Sequence, residues 1–271
     1  MNFSARQKLC SFAGKCLLAL LLLTTQLACT ATTLPPYEAT YTTKLRGIKI
    51  SGTRTFEQIG ENRYRISWQA KALWMRLNEW SEFEIANNKV RPLSYHYTRK
   101  GLGTDRPIHV YFDWQNMQVS GSKGKKRRTF ALQEGVQDKL SYQVQMQLDL
   151  LAQPELRAVD YQVATHSSIK HYVFNFQRQE TLDTVLGDRD SLLFERQKNN
   201  ASIKIWLAAT HYYSPIKVLQ VDEDGSSNSL IIRSWKSKAK PYSQIASLTQ
   251  DDSTNIPSAP QKSLQPVDDD F

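Results

Sequence analysis

Apolar and polar residues alternate along most of the chain. Tyr37, Ala39, Tyr41, Thr43 and Leu45 take every second position up to a break at Arg46-Gly47. Ile48, Ile50, Gly52, Arg54 and Phe56 continue to Gly60-Glu61-Asn62, and Tyr64, Ile66, Trp68, Ala70 and Ala72 form the next run. A period of two bounded by Gly and Asn predicts antiparallel strands with one buried and one solvated face. Further runs lie at 80–85, 90–97, 108–114, 117–119 and 128–132. After an interruption they resume at 161–164, 172–176, 191–196, 202–207, 216–221 and 229–235, with turn signals such as Asn87-Asn88, Asn199-Asn200 and Asp224-Gly225 between them. The interruption, 136–153, has a different period: Leu140, Val144, Leu148 and Leu151 recur at three and four, widened by Met146 and Leu150. That predicts one amphipathic helix, with Asp138 near its start and Pro154 after its end. The expected fold is therefore mainly β: a large curved antiparallel sheet or partly open barrel with one amphipathic helix packed on or across it.

The opening of the chain reads differently. Arg6, Lys8 and Lys15 precede an apolar core from Cys16 to Ala28, and no acid occurs before Glu38. The core is short for a bilayer span, and the order of charge, apolar core and small residues is that of a secretory signal. Residues 1–31 are read as a signal peptide cleaved near Ala31, which leaves no transmembrane span after processing. The competing reading is lipidation of Cys29, although Gln26 and Leu27 stand where a lipoprotein signal prefers an aliphatic and a small residue. Export implies a periplasmic location, or an outer-membrane lipoprotein if Cys29 is acylated. All three cysteines (Cys10, Cys16, Cys29) lie at or before the processing site, so the mature domain must stand on packing without disulfides.

With 271 residues, 40% hydrophobic, the chain suffices for a single β-rich domain over 32–240. Residues 241–271 hold five Asp and a single Lys among Ser, Gln and Pro, and read as a disordered acidic tail.

At the helix, the segment Leu132-Gln-Glu-Gly-Val-Gln-Asp-Lys-Leu-Ser-Tyr-Gln143 joins an ordered set of features. These are Phe112-Asp113-Trp114, Trp206, Tyr213-Ser-Pro215-Ile216-Lys217-Val218 and Asp224-Gly225. Together they resemble the bacterial domain-of-unknown-function family 3108. The resemblance implies an exported, mostly β protein with no assigned activity, and so it carries over no catalytic residues.

Nothing in the residue pattern supplies a reaction. The five histidines (His96, His109, His166, His171, His211) show no His-x-x-x-His spacing, and the mature chain holds no Cys, so no metal site is expected. There is no Gly-x-Ser-x-Gly elbow and no phosphate-cradling Gly loop, so no cofactor is expected. No catalytic residue is assigned, and the chain reads as non-enzymatic. The formal charge is +9, and its densest run is Lys123, Lys125, Lys126, Arg127 and Arg128. Export removes nucleic acid as a partner. The run is then either a solvated hairpin tip or a contact with an anionic envelope surface. The six Trp and twelve Tyr are core payload, or in part the lining of an apolar pocket. The leading expectation is an envelope protein that holds an apolar or amphiphilic ligand (a lipid, for example) or supports envelope maintenance, with an apolar cavity between sheet and helix. Alternatives are a scaffold for another envelope protein and a hydrolase acting on envelope polymer.

Overall fold

The computed structural model describes residues 34–45, 48–72, 75–101, 105 and 107–238. Residues 1–31, read from the sequence as a signal peptide, with Cys29, the apolar pair Leu73-Trp74 and the tail 241–271 lie outside the described residues.

Among the described residues eight strands precede the helix: β1 (Tyr37–Leu45), β2 (Ile48–Gln58), β3 (Arg63–Ala72), β4 (Met75–Ala86), β5 (Lys89–Lys100), β6 (Ile108–Asp113), β7 (Gln118–Lys123) and β8 (Lys126–Ala131). The helix α1 (Ser141–Ala152) follows. Then come β9 (Ala158–Ala164), β10 (Ile169–Leu182), β11 (Arg189–Lys198), β12 (Ala201–Ala208), β13 (Ser214–Val221) and β14 (Ser227–Ser237). They form one 14-stranded antiparallel sheet in which chain neighbours are spatial neighbours, and β1 joins β14. The sheet stays open between β8 and β9, where the chain leaves it to make α1.

That seam is narrowed without a full ladder. Gln137 pairs in parallel with Val163 of β9: its N–H donates to Gln162 O (2.8 Å) and its carbonyl accepts from the Ala164 N–H (2.8 Å). On the other side, Gly121 of β7 abuts the β9–β10 turn so closely that a Cβ there would lie 2.4 Å from His166 O. Only a residue without a side chain permits this approach.

The helix begins at Ser141, five residues later than its sequence period predicts, because residues 136–140 are used for joining the seam. Asp138 and Ser141 cap each other reciprocally. The Asp138 carboxylate accepts from Leu140 N–H (2.8 Å) and Ser141 N–H (2.9 Å), and the Asp138 N–H donates to Ser141 Oγ (2.7 Å). The Ser81 hydroxyl of β4 donates to the second carboxylate oxygen at 2.6 Å, pinning the helix start to the sheet. Burial pushes the Asp138 carboxyl up to about 6, against the lowering effect of these bonds.

The single apolar stripe expected on α1 is in fact two. Leu140, Val144 and Leu148 pack with Phe83, Tyr95 and Phe112 of the β1–β8 half. Tyr142, Met146 and Leu150 pack with Phe174, Phe194 and Leu207 of the β9–β13 half. Side chains from both halves interdigitate with α1 over most of its length, and the open space between sheet and helix lies beside its C-terminal half. Its buried glutamines tie it to turns on either side. Gln145 accepts from Val90 N–H (2.7 Å) and donates to Asn88 O (3.0 Å), while Gln147 donates to Tyr212 O (2.9 Å). Among the described residues no helix is long and apolar enough to cross a membrane.

Candidate functional site

Each hairpin in the meander reverses the chain, so alternate turns share an end. The β1–β2, β3–β4, β5–β6 and β7–β8 turns stand at one end with those of β9–β10, β11–β12 and β13–β14. The β2–β3 and β4–β5 turns and the helix C-terminus lie at the other.

At the first end the sheet interior is not filled by the helix. A cavity of about 380 Å³ opens there, lined by Ile50, Trp68, Ala70, Leu77, Tyr97 and Leu230 among others, with Arg99 on its wall. The alternation explains the lining, since Ile50 and Gly52 on β2 and Trp68 and Ala70 on β3 are the inward positions near this end. Gly52 makes room for the Trp68 indole, whose Cζ2 would lie 2.4 Å from a Cβ at that position. The Tyr41 ring meets Trp68 edge-on at 5.5 Å and closes the inner side.

Beneath that aromatic layer lies a polar cluster. Buried Arg54 donates from Nε to the Tyr37 hydroxyl (2.9 Å) and from Nη1 to Gln143 Oε1 of α1 (2.5 Å), while its Nη2 is buried with no hydrogen-bond partner. The Glu79 carboxyl is raised by burial, and the Tyr95 hydroxyl donates to it at 2.6 Å. This cluster joins α1 to the inner faces of β1, β2, β4 and β5.

A larger open cleft of about 900 Å³ occupies the second end, between the C-terminal half of α1, the β4–β5 hairpin and the start of β9. Its lining mixes apolar Val90, Trp114, Leu148, Leu156 and Val159 with charged Glu84, Arg91, Glu134, Asp149 and Asp160, and most of these charged groups already have protein partners. Asp149 accepts from the Tyr161 hydroxyl (2.7 Å) and Gln145 (2.8 Å), Asp160 lies 3.2 Å from His171, and Glu84 faces Arg91 at 3.8 Å. The apolar cavity is smaller, but its walls offer a ligand unsatisfied surface rather than committed polar groups.

The polybasic run sits on the β7–β8 hairpin at the cavity end. Gly124 at φ 58° allows the tight turn, and Lys123, Lys125, Lys126, Arg127 and Arg128 are all exposed without an ion-pair partner among the described residues. Sequence reasoning missed further cations at the same end. Lys71, Arg76 and Lys100 stand directly opposite one another on β3, β4 and β5, and Lys49 and Arg99 are close by. The signal was present, because in a meander the charges flanking alternate turns belong to one surface.

Of the histidines, the sheet register brings His96 and His109 together, with Nδ1 atoms 2.6 Å apart and the Trp80 ring stacked at 3.8 Å on His96. Burial and the neighbouring His109 lower His96 to about 4. Among the described residues no three His, Cys, Asp or Glu gather as metal ligands. His166 and His171 lie at the β9–β10 turn and start of β10, and His211 packs edge-on to Trp235 at 5.3 Å.

No curated protein matches the chain. Among solved structures, the crystal structure of a β-barrel-like protein of domain of unknown function DUF1849 from Brucella abortus is similar, with a TM-score of 0.53 and 10% sequence identity. The match covers 76% of this chain and 99% of that one, and at this identity it concerns the fold alone. The model of the family described as "Protein of unknown function (DUF3108)" matches residues 36–231, from the start of β1 into β14 and across the whole helix and seam, and the chain belongs to that family.

Proposed function

We propose that the protein is an exported, non-catalytic component of the cell envelope that holds an apolar or amphiphilic ligand in the cavity lined by Trp68, Ala70, Leu77 and Tyr97. The observation that carries this reading is a hollow whose walls are mainly apolar, whereas the larger cleft beside α1 is rimmed by charged groups that mostly have protein partners. Unfilled apolar volume forfeits dispersion contacts, and a ligand entering it gains them while leaving water. Arg99 on the wall favours an anionic head group at the mouth. Export rests on the charged and apolar opening of the chain, and the absence of a cysteine after residue 29 suits folding in an oxidising compartment.

Mass spectrometry of the protein, purified from its own envelope fraction under non-denaturing conditions, tests the reading. The expected spectrum shows a chain shortened at its N-terminus with a copurifying amphiphile, and Ala70→Trp, which fills the hollow, loses the added mass. An adduct that survives Ala70→Trp, or the bare chain mass in both proteins, overturns the ligand assignment.

A further inference from the structure

The sheet carries a row of like charges that it gains nothing by keeping. Lys71, Arg76 and Lys100 occupy directly opposed positions on three adjacent strands, and like charges directly opposite one another destabilise a sheet. The same arrangement recurs at the hairpin, where Lys123 is opposed to Lys126. No ion pair among the described residues relieves either set. The ion pairs Arg63–Glu82, Arg65–Glu82 and Arg91–Glu84 all lie toward the other end. Protection of a free sheet edge accounts for cations on β8, which has one unpaired side. It does not account for Lys71 and Arg76, which are paired on both sides, whereas β5 beyond Tyr97 is paired with β4 alone. An external polyanion would offset this repulsion. The apolar cavity opens in the middle of the same end, with Arg99 on its wall.

We infer that this end of the barrel docks on the anionic phospholipid surface of a bilayer, with the cavity mouth turned toward the lipid. A flat anionic sheet is the partner that meets the β3–β5 row and the β7–β8 hairpin at once while presenting apolar chains to the opening, and Asp222, Glu223 and Asp224 on the β13–β14 turn at the same end tilt the contact toward the β3–β8 side. The inference uses the charge row and does not require the cavity to be occupied.

Co-sedimentation of the full chain with vesicles tests it, comparing phosphatidylglycerol mixed into phosphatidylcholine with phosphatidylcholine alone. Binding is expected only to the anionic vesicles and falls at least tenfold at about 0.5 M salt. Each cation near such a surface is worth on the order of fivefold in affinity, so Lys71→Gln/Arg76→Gln/Lys100→Gln weakens binding by at least about tenfold. Arg63→Gln/Lys89→Gln/Arg91→Gln removes the same charge from the opposite end and stays within about twofold of the wild type. A hairpin variant with Lys125, Lys126, Arg127 and Arg128 changed to Ser gives a second, independent loss, so the test survives misfolding of the first. The apolar opening segment is common to every variant, so differences between variants report the basic end. Equal losses in the row and opposite-end variants, salt-insensitive binding, or no preference for anionic vesicles would overturn the docking. Ala70→Trp is expected to dock normally, so a failed docking with intact amphiphile binding removes this inference and leaves the cavity reading standing.

Discussion

The two ends of the sheet are built from the same kind of hairpin, yet they resolve their charges in opposite ways and leave cavities of different character. At the end where α1 terminates, carboxylates meet arginines, with Glu82 bridging Arg63 and Arg65 at 2.9 and 2.5 Å, and glutamines of the helix are bonded to the turns. At the other end the cavity is mainly apolar, and Lys71, Arg76, Arg99 and Lys100 around it have no ion-pair partner among the described residues. Ion pairs cluster where α1 ends, and the opposed cations Lys71, Arg76 and Lys100 stand without one at the other end. Binding surfaces are drawn from such unsatisfied regions, because groups already paired have little to gain from a ligand.

The contrast is sharpened most by paired truncations. Leu148→Ala removes a fully buried side chain between helix and sheet and is expected to cost about 3 kcal/mol, read by denaturant unfolding. Leu77→Ala on the cavity wall removes the same atoms from a half-buried site and should cost under about 1 kcal/mol. Equal losses would erase the distinction between the packed helix contact and the wall of the hollow.

Asp138 gives the contrast a pH signature. Its folded value of about 6 lies above the ordinary 3.8, so the native state holds an extra proton between them and stability falls as pH rises through that window. Asp138→Asn keeps an acceptor for the helix N–H groups and can donate to Ser81. Its advantage over the wild type should grow from near zero at about pH 3.5 to on the order of 3 kcal/mol by about pH 7, followed by unfolding at stepped pH.

The two tight glycines separate backbone from side-chain crowding. Gly121→Ala drives a Cβ into the His166 carbonyl, which cannot move without opening the seam, and about 1–3 kcal/mol of loss is expected in thermal unfolding. Gly52→Ala meets an equally close atom, but that atom belongs to an indole with empty volume beside it. Trp68 then swings into the cavity, so amphiphile binding falls more than stability does. The smallest effect belongs to the paired end. Glu82→Gln loosens Arg63 and Arg65 at the surface and should cost no more than about 1 kcal/mol, less still in high salt.

Much of the architecture was legible because a period of two needs only neighbouring residues to be read. Tyr37 to Thr43 and Ile50 to Phe56 announce their buried faces directly, and those faces are where the core lies. The late start of α1 was not legible, since the use of Gln137 in the seam depends on Val163 and Ala164 far along the chain. Nor was its second apolar stripe recognised. Tyr142 falls outside the stripe of Leu140, Val144, Leu148 and Leu151, and burial against Phe174 and Tyr161 makes it core. The site was read in part. The run from Lys123 to Arg128 stood out through local density, whereas Lys71, Arg76 and Lys100 are isolated in the chain and converge only through register. His96 and His109 likewise meet only across a ladder.

The central claim is that the hollow at the basic end, rather than the larger charged cleft at the other, receives the ligand. Fluorescence titration with the anionic amphiphile anilinonaphthalene sulfonate decides between them by filling each in turn: Ala70→Trp for the hollow, Ala152→Trp for the cleft. The account predicts saturable binding that weakens at least about tenfold in Ala70→Trp and is unchanged in Ala152→Trp. Binding that survives Ala70→Trp and disappears in Ala152→Trp would contradict it.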